Sequence, residues 1–84
     1  MNYTVLWVPD AENELAAVWM ASADRDGVTI AAAELDRRLI DDPENEGESR
    51  VGNRRITFEK PLAIYFDVDT ARKLVQVVRV WEFR

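Results

Sequence analysis

The segment at residues 61–68, PLAIYFDV, limits the possible folds more than any other part of the chain. From Leu62 onward every second residue is a large apolar one, and smaller or more polar residues lie between them. A period of two in a run rich in β-branched and aromatic residues is typical of a half-buried strand. Strand-like runs precede it at residues 50–58 and follow it at residues 73–83, with turn-like sequences between. We therefore predict a three-stranded antiparallel meander with residues 61–68 in the middle.

Two helices are predicted upstream, where apolar residues recur at helical spacing in residues 11–22 and 28–40. A first strand at residues 3–8 ends at Pro9. The joint between the helices is short, so we expect an α-hairpin that covers the aliphatic row of the central strand. The predicted fold is α+β, one domain over residues 1–84 with the order β-α-α-β-β-β: an antiparallel four-stranded sheet with an α-hairpin on one face. The first strand is expected to be antiparallel to its neighbour, at either edge.

The sequence does not decide which residues of the last strand point to the core, because this strand is apolar on both sides. The assignment that we adopt places three of its residues in the core: Leu74, Val78 and Val80. It leaves Arg79 and Trp81 on the open face, the side of the sheet without helices. Val75 and Val77 then share the side of Arg79, so the opposite facing stays open. Four aromatic residues at inward positions are expected in the core: Trp7, Trp19, Phe58 and Phe66.

Composition removes several kinds of chemistry. The chain has no cysteine and no histidine, so disulfides, thiolate nucleophiles and His-based acid–base catalysis are excluded. The net charge of −5 argues against broad attraction to nucleic acid or to an anionic membrane, although most basic residues follow Gly47 and make the C-terminal half locally basic. No apolar run approaches the ~18 residues of a membrane span. We expect a cytoplasmic protein without a membrane partner.

The acidic segment at residues 41–48, DDPENEGE, has some features of a calcium-binding loop. Four residues fall at the first, third, fifth and sixth positions of such a loop: Asp42, Glu44, Glu46 and Gly47. The pattern fails because the twelfth position is Asn53 rather than a bidentate Glu, and because the second is Pro43. We therefore predict a solvated acidic loop, with no metal and no other cofactor.

A candidate functional surface lies on the open face, where we expect Arg55, Tyr65 and Arg79 on adjacent strands. Three further arginines are expected around its rim: Arg50, Arg54 and Arg84. Arginines can stabilise a pentacovalent phosphate and a tyrosine can orient a nucleophile, but no group in this set titrates near neutrality. Trp81 and Phe83 suit an apolar anchor for a partner helix or strand. Three interpretations stay open: solvated strand residues that discourage edge pairing, a partner-binding surface and a nuclease site.

Several segments together resemble the ParE/RelE superfamily of small toxins from bacterial toxin–antitoxin modules: YTVLWVPDAENELAAVW, GESR, RRITFEKPLAIYFDV and LVQVVRVW. The resemblance covers nearly the whole chain and implies a strand–helix–helix–meander fold and an antitoxin that wraps the toxin surface. It also implies one of two activities. RelE-like members cleave messenger RNA on the ribosome with clustered Lys and Arg residues and a C-terminal Tyr or His. ParE-like members inhibit DNA gyrase and lack that cluster.

Carried over residue by residue, the resemblance weakens the nuclease interpretation. Leu62 stands where RelE-like chains have a basic residue, and Glu82 lies close to where a basic residue or His is usual. Arg54 or Arg55 can substitute for lysines of the preceding strand, and only Arg84 remains at the chain end.

The leading hypothesis is a toxin-module protein, of the kind linked to plasmid stabilisation, that acts mainly by protein binding. Its expected partners are a cognate antitoxin and, as a candidate target, DNA gyrase. The predicted partner-binding residues are Arg50, Arg55, Tyr65, Arg79, Trp81 and Phe83. The first alternative is a ribosome-dependent messenger RNA endoribonuclease with the catalytic residues Arg54, Arg55, Tyr65 and Arg84. The second is an inactive relative that retains only the fold.

Overall fold

The computed structural model describes residues 2–83 and has an α+β fold. Strand β1 (Thr4–Trp7) leads into helices α1 (Pro9–Ala21) and α2 (Arg25–Asp41). A short 3₁₀ helix (Pro43–Asn45) then precedes four further strands: β2 (Glu48–Ser49), β3 (Arg54–Glu59), β4 (Leu62–Asp69) and β5 (Leu74–Glu82). The strands form one sheet in the order β1-β5-β4-β3-β2. The predicted fold class and the position of residues 61–68 within the meander are confirmed.

The sheet differs from the prediction in two related ways. It has five strands instead of four, and β1 runs parallel to β5 instead of antiparallel to its neighbour. The additional strand β2 begins at the end of the acidic segment that was predicted to be a loop, and it pairs antiparallel with β3. This short strand reverses the chain once more between α2 and β3, so β3 and β5 run in the same direction as β1. The acidic, glycine-containing sequence around β2 has no strand periodicity, so it was not predicted.

Both helices begin before the positions predicted from apolar periodicity. Helix α1 starts at Pro9, whose fixed φ and missing N–H suit the first helical position, and Asp10 follows in the first turn. Helix α2 starts after Asp24, whose carboxylate accepts a hydrogen bond of 3.0 Å from the backbone N–H of Gly27. These first turns are polar and carry no apolar signal. Among the described residues, no helix is long and apolar enough to cross a bilayer.

The core lies between α2 and one face of the sheet. Helix α2 contributes a stripe of buried residues: Val28, Ala31, Leu35 and Leu39. Strand β4 contributes the alternating row that the sequence predicts: Leu62, Ile64, Phe66 and Val68. Leu35 and Phe66 are completely enclosed. The helices therefore cover one face of the sheet, and within residues 2–83 the other face has no helix over it.

A β-bulge decides the facing of β5. Tyr65 lies opposite Arg79, but the next residue, Phe66, lies opposite Val77, so Val78 is the extra residue. The bulge allows apolar residues before and after it to face the helices: Val75, Val77 and Val80 are all buried. The predicted core positions of Leu74 and Val78 are wrong, since both are only partly buried.

Candidate partner-binding surfaces

The face of the sheet opposite the helices, the open face, presents three rows of side chains across β3, β4 and β5. Directly opposed residues of antiparallel strands point to the same side. The first row is Phe58, Ala63 and Trp81; the second is Ile56, Tyr65 and Arg79; the third is Arg54, Asp67 and Gln76. Three predicted partner-binding residues lie in these rows: Tyr65, Arg79 and Trp81. A fourth, Phe83, follows β5 and joins them through its ring contact with Phe58.

Four aromatic rings lie in two pairs on the open face. The ring centroids of Phe58 and Phe83 are 5.3 Å apart, and the ring planes meet at 72°. The centroids of Tyr65 and Trp81 are 5.1 Å apart, with a 52° angle between the planes. Edge-to-face and tilted pairs of this kind are favourable because the positive edge of one ring meets the negative face of the other. Trp81 at the end of β5 and Phe83 just beyond it therefore contribute one ring to each pair.

Phe58 lies on the open face. The sequence analysis placed it in the core, and that prediction is wrong. It is 50% exposed, because the alternation of β3 places it on the same side as Arg54. Its cross-strand neighbour Ala63 is completely buried, and Ile56 is nearly so, although no helix covers this face. The aromatic rings therefore shield these small and aliphatic side chains from water.

The arginines of the open face are held in ion pairs. Arg54 donates two hydrogen bonds to the carboxylate of Asp67, at 2.7 and 2.9 Å, and this contact raises the pKa of Arg54 above its ordinary value. Arg79 Nε donates at 2.8 Å to Glu14 on helix α1, which lies beside the part of β5 that β1 leaves unpaired beyond Val77. The other oxygen of Glu14 accepts from the backbone N–H of Val80 at 2.9 Å, just beyond the bulge. These carboxylates neutralise the positive charge that a phosphate would otherwise meet.

Arg55 does not join this face, contrary to the prediction. It lies opposite Phe66 and so points to the helix side of the sheet. There its guanidinium donates to the backbone oxygens of Glu46 and Gly47, at 2.8 and 3.2 Å. Arg55 therefore ties the acidic loop to β3. The sequence analysis placed it beside Tyr65 because the register between β3 and β4 was unknown.

The residues predicted for RNA cleavage are consequently not assembled as a group. Arg54 and Tyr65 share the open face, whereas Arg55 points away from it. Arg50 lies at the start of the β2–β3 turn, with Nη1 3.4 Å from a carboxylate oxygen of Glu48. Arg84 is outside the described residues. Within residues 2–83, no group of three or more acidic side chains is placed to hold a metal ion.

A second surface, which the sequence interpretation missed, is a groove of about 720 Å³ between α1 and α2, the helix groove. Its walls are largely apolar and include Leu15, Ala16, Trp19, Met20, Ala32 and Ala33. Trp7 also lines it, and the indole Nε1 donates to Asp36 Oδ1 at 2.6 Å. The charged side chains of the lining are Glu12 and Asp36. The helix groove is therefore an apolar channel with acidic groups.

Trp19 lies in the wall of this groove and not in the core, where the sequence analysis placed it. It is 41% exposed, and the adjacent Met20 is 67% exposed. The guanidinium of Arg25 lies over the indole, 4.7 Å from the ring centroid, and donates to the backbone oxygens of both residues. The signal that could have revealed the groove is the presence of apolar helix residues outside the core stripe, such as Met20 and Ala33.

The fold matches that of chains in two toxin–antitoxin structures. A chain of the RelBE2 toxin–antitoxin complex from Mycobacterium tuberculosis superposes with a TM-score of 0.76 and 15% sequence identity, over 98% of this chain and 92% of that chain. A chain of the chromosomal ParDE toxin–antitoxin system from P. aeruginosa gives a TM-score of 0.71 and 18% identity, over 98% and 97% of the two chains. No protein-family model and no curated protein sequence matches this sequence. The structural likeness confirms, at the level of the fold, the resemblance inferred from the sequence: this chain has the fold of these two chains from toxin–antitoxin assemblies.

Proposed function

We propose that the protein belongs to a toxin–antitoxin module and acts mainly by binding proteins, with a segment of its cognate antitoxin in the helix groove. The observation that carries the proposal is the groove itself, because an open apolar channel between two helices suits the apolar face of a third helix. Further support comes from the structural neighbours, which are chains of toxin–antitoxin assemblies.

The groove also defines the chemistry of the segment that would fill it. Helix α1 carries three acidic residues and no Lys or Arg, and the charged residues of the groove lining are Glu12 and Asp36. The matching segment is an amphipathic helix with apolar residues at helical spacing and a Lys or Arg directed at these carboxylates. The small side chains of Ala16 and Ala33 leave room for its backbone.

Two neighbouring alanines provide a matched test. Both Ala16 and Ala17 are exposed on α1, but only Ala16 lines the groove. We expect the antitoxin to be the product of a small gene adjacent to the gene of this protein. Ala16→Arg should weaken its binding at least tenfold, because the substitution fills the channel and repels a basic segment. Ala17→Arg should change the dissociation constant less than twofold. Isothermal titration calorimetry with the purified proteins measures both. Equal effects of the two substitutions would place the antitoxin elsewhere.

For the cellular target we propose DNA gyrase as the first candidate. Arg54 is paired with Asp67 and Arg55 points to the other side of the sheet, so these arginines are poorly placed to stabilise a phosphate during RNA cleavage. A supercoiling assay with the purified protein should show inhibition that the antitoxin reverses. A lack of inhibition removes gyrase and leaves the antitoxin proposal in place. The wider proposal fails if expression leaves bacterial growth unchanged with and without the adjacent gene product, and no complex forms. In that case the inactive-relative alternative is favoured.

A further inference from the structure

The open face is apolar at its centre and has no covering element within the described chain. Phe58 is 50% exposed, and the other three rings of the two aromatic pairs, Tyr65, Trp81 and Phe83, are partly accessible. Leu6 on β1 lies on the same side, in register with Gln76, and is also 50% exposed. Apolar patches that extend over several strands of a small protein usually mark an interaction site.

The charged side chains on this face are paired. Arg54 contacts Asp67, and Arg79 contacts Glu14. Two acidic residues at its margins are also paired with arginines: Glu48 with Arg50, and Asp69 with Arg72. The open face is therefore close to electrically neutral.

The remaining charge is concentrated on the opposite side of the molecule. Residues 9–47, which form both helices and the acidic loop, contain eleven Asp and Glu residues but only three Arg residues. Their net charge is −8, or −7 without Glu14, which pairs with Arg79. Two copies that approached each other through their helices would repel. Two copies that met through their open faces would bury apolar rings and keep the acidic surfaces apart.

We propose that the open face is the interface of a homodimer, with a second copy of this chain packed over the aromatic pairs. The contact is isologous, so the same rings lie on both sides of a two-fold axis. A single-stranded nucleic acid fits this face less well, because stacking platforms for bases are combined with free cations along the backbone path, and the arginines here are already paired. The anchor role predicted for Trp81 and Phe83 is thereby assigned to self-association. The helix groove stays accessible to an antitoxin.

Sedimentation equilibrium of the purified full chain, without antitoxin, tests the interface. We expect a concentration-dependent shift from the monomer mass of 9.7 kDa to twice that value. Phe58→Glu should raise the dissociation constant at least tenfold, because it places two like charges at a buried contact. The matched control is Ile30→Glu, since Ile30 is 68% exposed on α2, away from the open face. Circular dichroism confirms that both variants remain folded.

Mixing two oppositely charged variants tests the interface by restoring association, a result that misfolded protein would not give. Phe58→Glu and Phe58→Lys should each be largely monomeric alone and should form a heterodimer when mixed. A chain that stays monomeric at every concentration overturns the proposal. The proposal is also overturned if Ile30→Glu abolishes the association, or if Phe58→Glu leaves it intact. Because the experiment uses this chain alone, its failure leaves the antitoxin proposal untouched.

Discussion

One guanidinium, that of Arg38 on α2, connects three parts of the structure. It donates to Glu46 in the acidic loop at 2.8 Å, to Glu59 at the end of β3 at 2.7 Å and to the hydroxyl of Thr57 at 2.9 Å. The Arg38 side chain is only 20% exposed, so these bonds are partly shielded from water. Thr57 is a buried polar residue of the sheet, and Arg38 donates a hydrogen bond to its hydroxyl.

Replacing this residue should be costly. Arg38→Met should lower the free energy of unfolding by about 1.5–3 kcal/mol, the range for hydrogen bonds to charged groups. The adjacent Arg37 is the matched control, because its side chain is 67% exposed and pairs with Glu34 on the same helix. Arg37→Met should leave the stability nearly unchanged. Urea denaturation measures both variants, and similar losses would contradict the connecting role of Arg38.

Tyr3 makes the stability sensitive to alkaline pH. Its hydroxyl donates to Glu44 at 2.6 Å, and this bond, with burial and the nearby carboxylate charges, raises the pKa of Tyr3 from 10.0 to about 12. The folded protein therefore retains a proton that the unfolded chain releases. The stabilising contribution is complete below pH 10 and is lost as the pH rises towards 12.

Unfolding free energies measured across this alkaline range should therefore fall, and the fall should be smaller in Tyr3→Phe, which has no phenolic proton. Glu44→Gln removes the charge that favours the protonated hydroxyl, so it should bring the pKa of Tyr3 closer to its ordinary value. Absorbance of the ionised phenol reports this titration directly. An unchanged alkaline slope in Tyr3→Phe would refute the assignment.

At the scale of elements, the short strand β2 depends on Gly47. This residue has φ of +63°, and a Cβ there would overlap with the backbone oxygen of Ile56 on β3. Gly52 in the following turn has a similar φ of +65°, but a Cβ there would meet no atom within 4 Å. The two glycines thus share a backbone conformation and differ in the space around them.

Alanine substitutions separate these two effects. Gly52→Ala should cost about 1 kcal/mol of unfolding free energy, the penalty of a left-handed conformation for a residue with a Cβ. Gly47→Ala should cost about 2–4 kcal/mol, because the overlap with β3 adds to that penalty. Chemical denaturation of both variants checks the difference. Equal losses would mean that β2 can shift away from β3 without cost.

For the whole molecule, the distribution of charge predicts poor binding to RNA. The net charge is −5, and the arginines of the open face are paired with carboxylates. Fluorescence anisotropy with a labelled single-stranded RNA should show affinity weaker than about 100 µM at physiological salt, the weak end of non-specific binding. Asp67→Asn, which leaves Arg54 without its counter-charge, should bind somewhat more tightly. Tight, salt-sensitive binding by the unmodified protein would instead support the endoribonuclease alternative.

The main elements and the central core were predictable from the sequence because they depend on local periodicity. The alternation in β4 and the apolar stripe of α2 specify which side chains are buried, whatever their partners are. The absence of cysteine and histidine likewise limits the chemistry before any fold is known.

The candidate surfaces were less predictable, because they depend on contacts between residues far apart in the chain. A two-residue strand reversed the direction of β1 relative to its neighbour, and a single extra residue, Val78, set the facing of β5. The two arginines of the open face are paired with carboxylates from other elements: Arg79 with Glu14 and Arg54 with Asp67. No local pattern encodes these pairings. They form only when folding aligns the strands and brings carboxylates from distant parts of the chain close to the arginines.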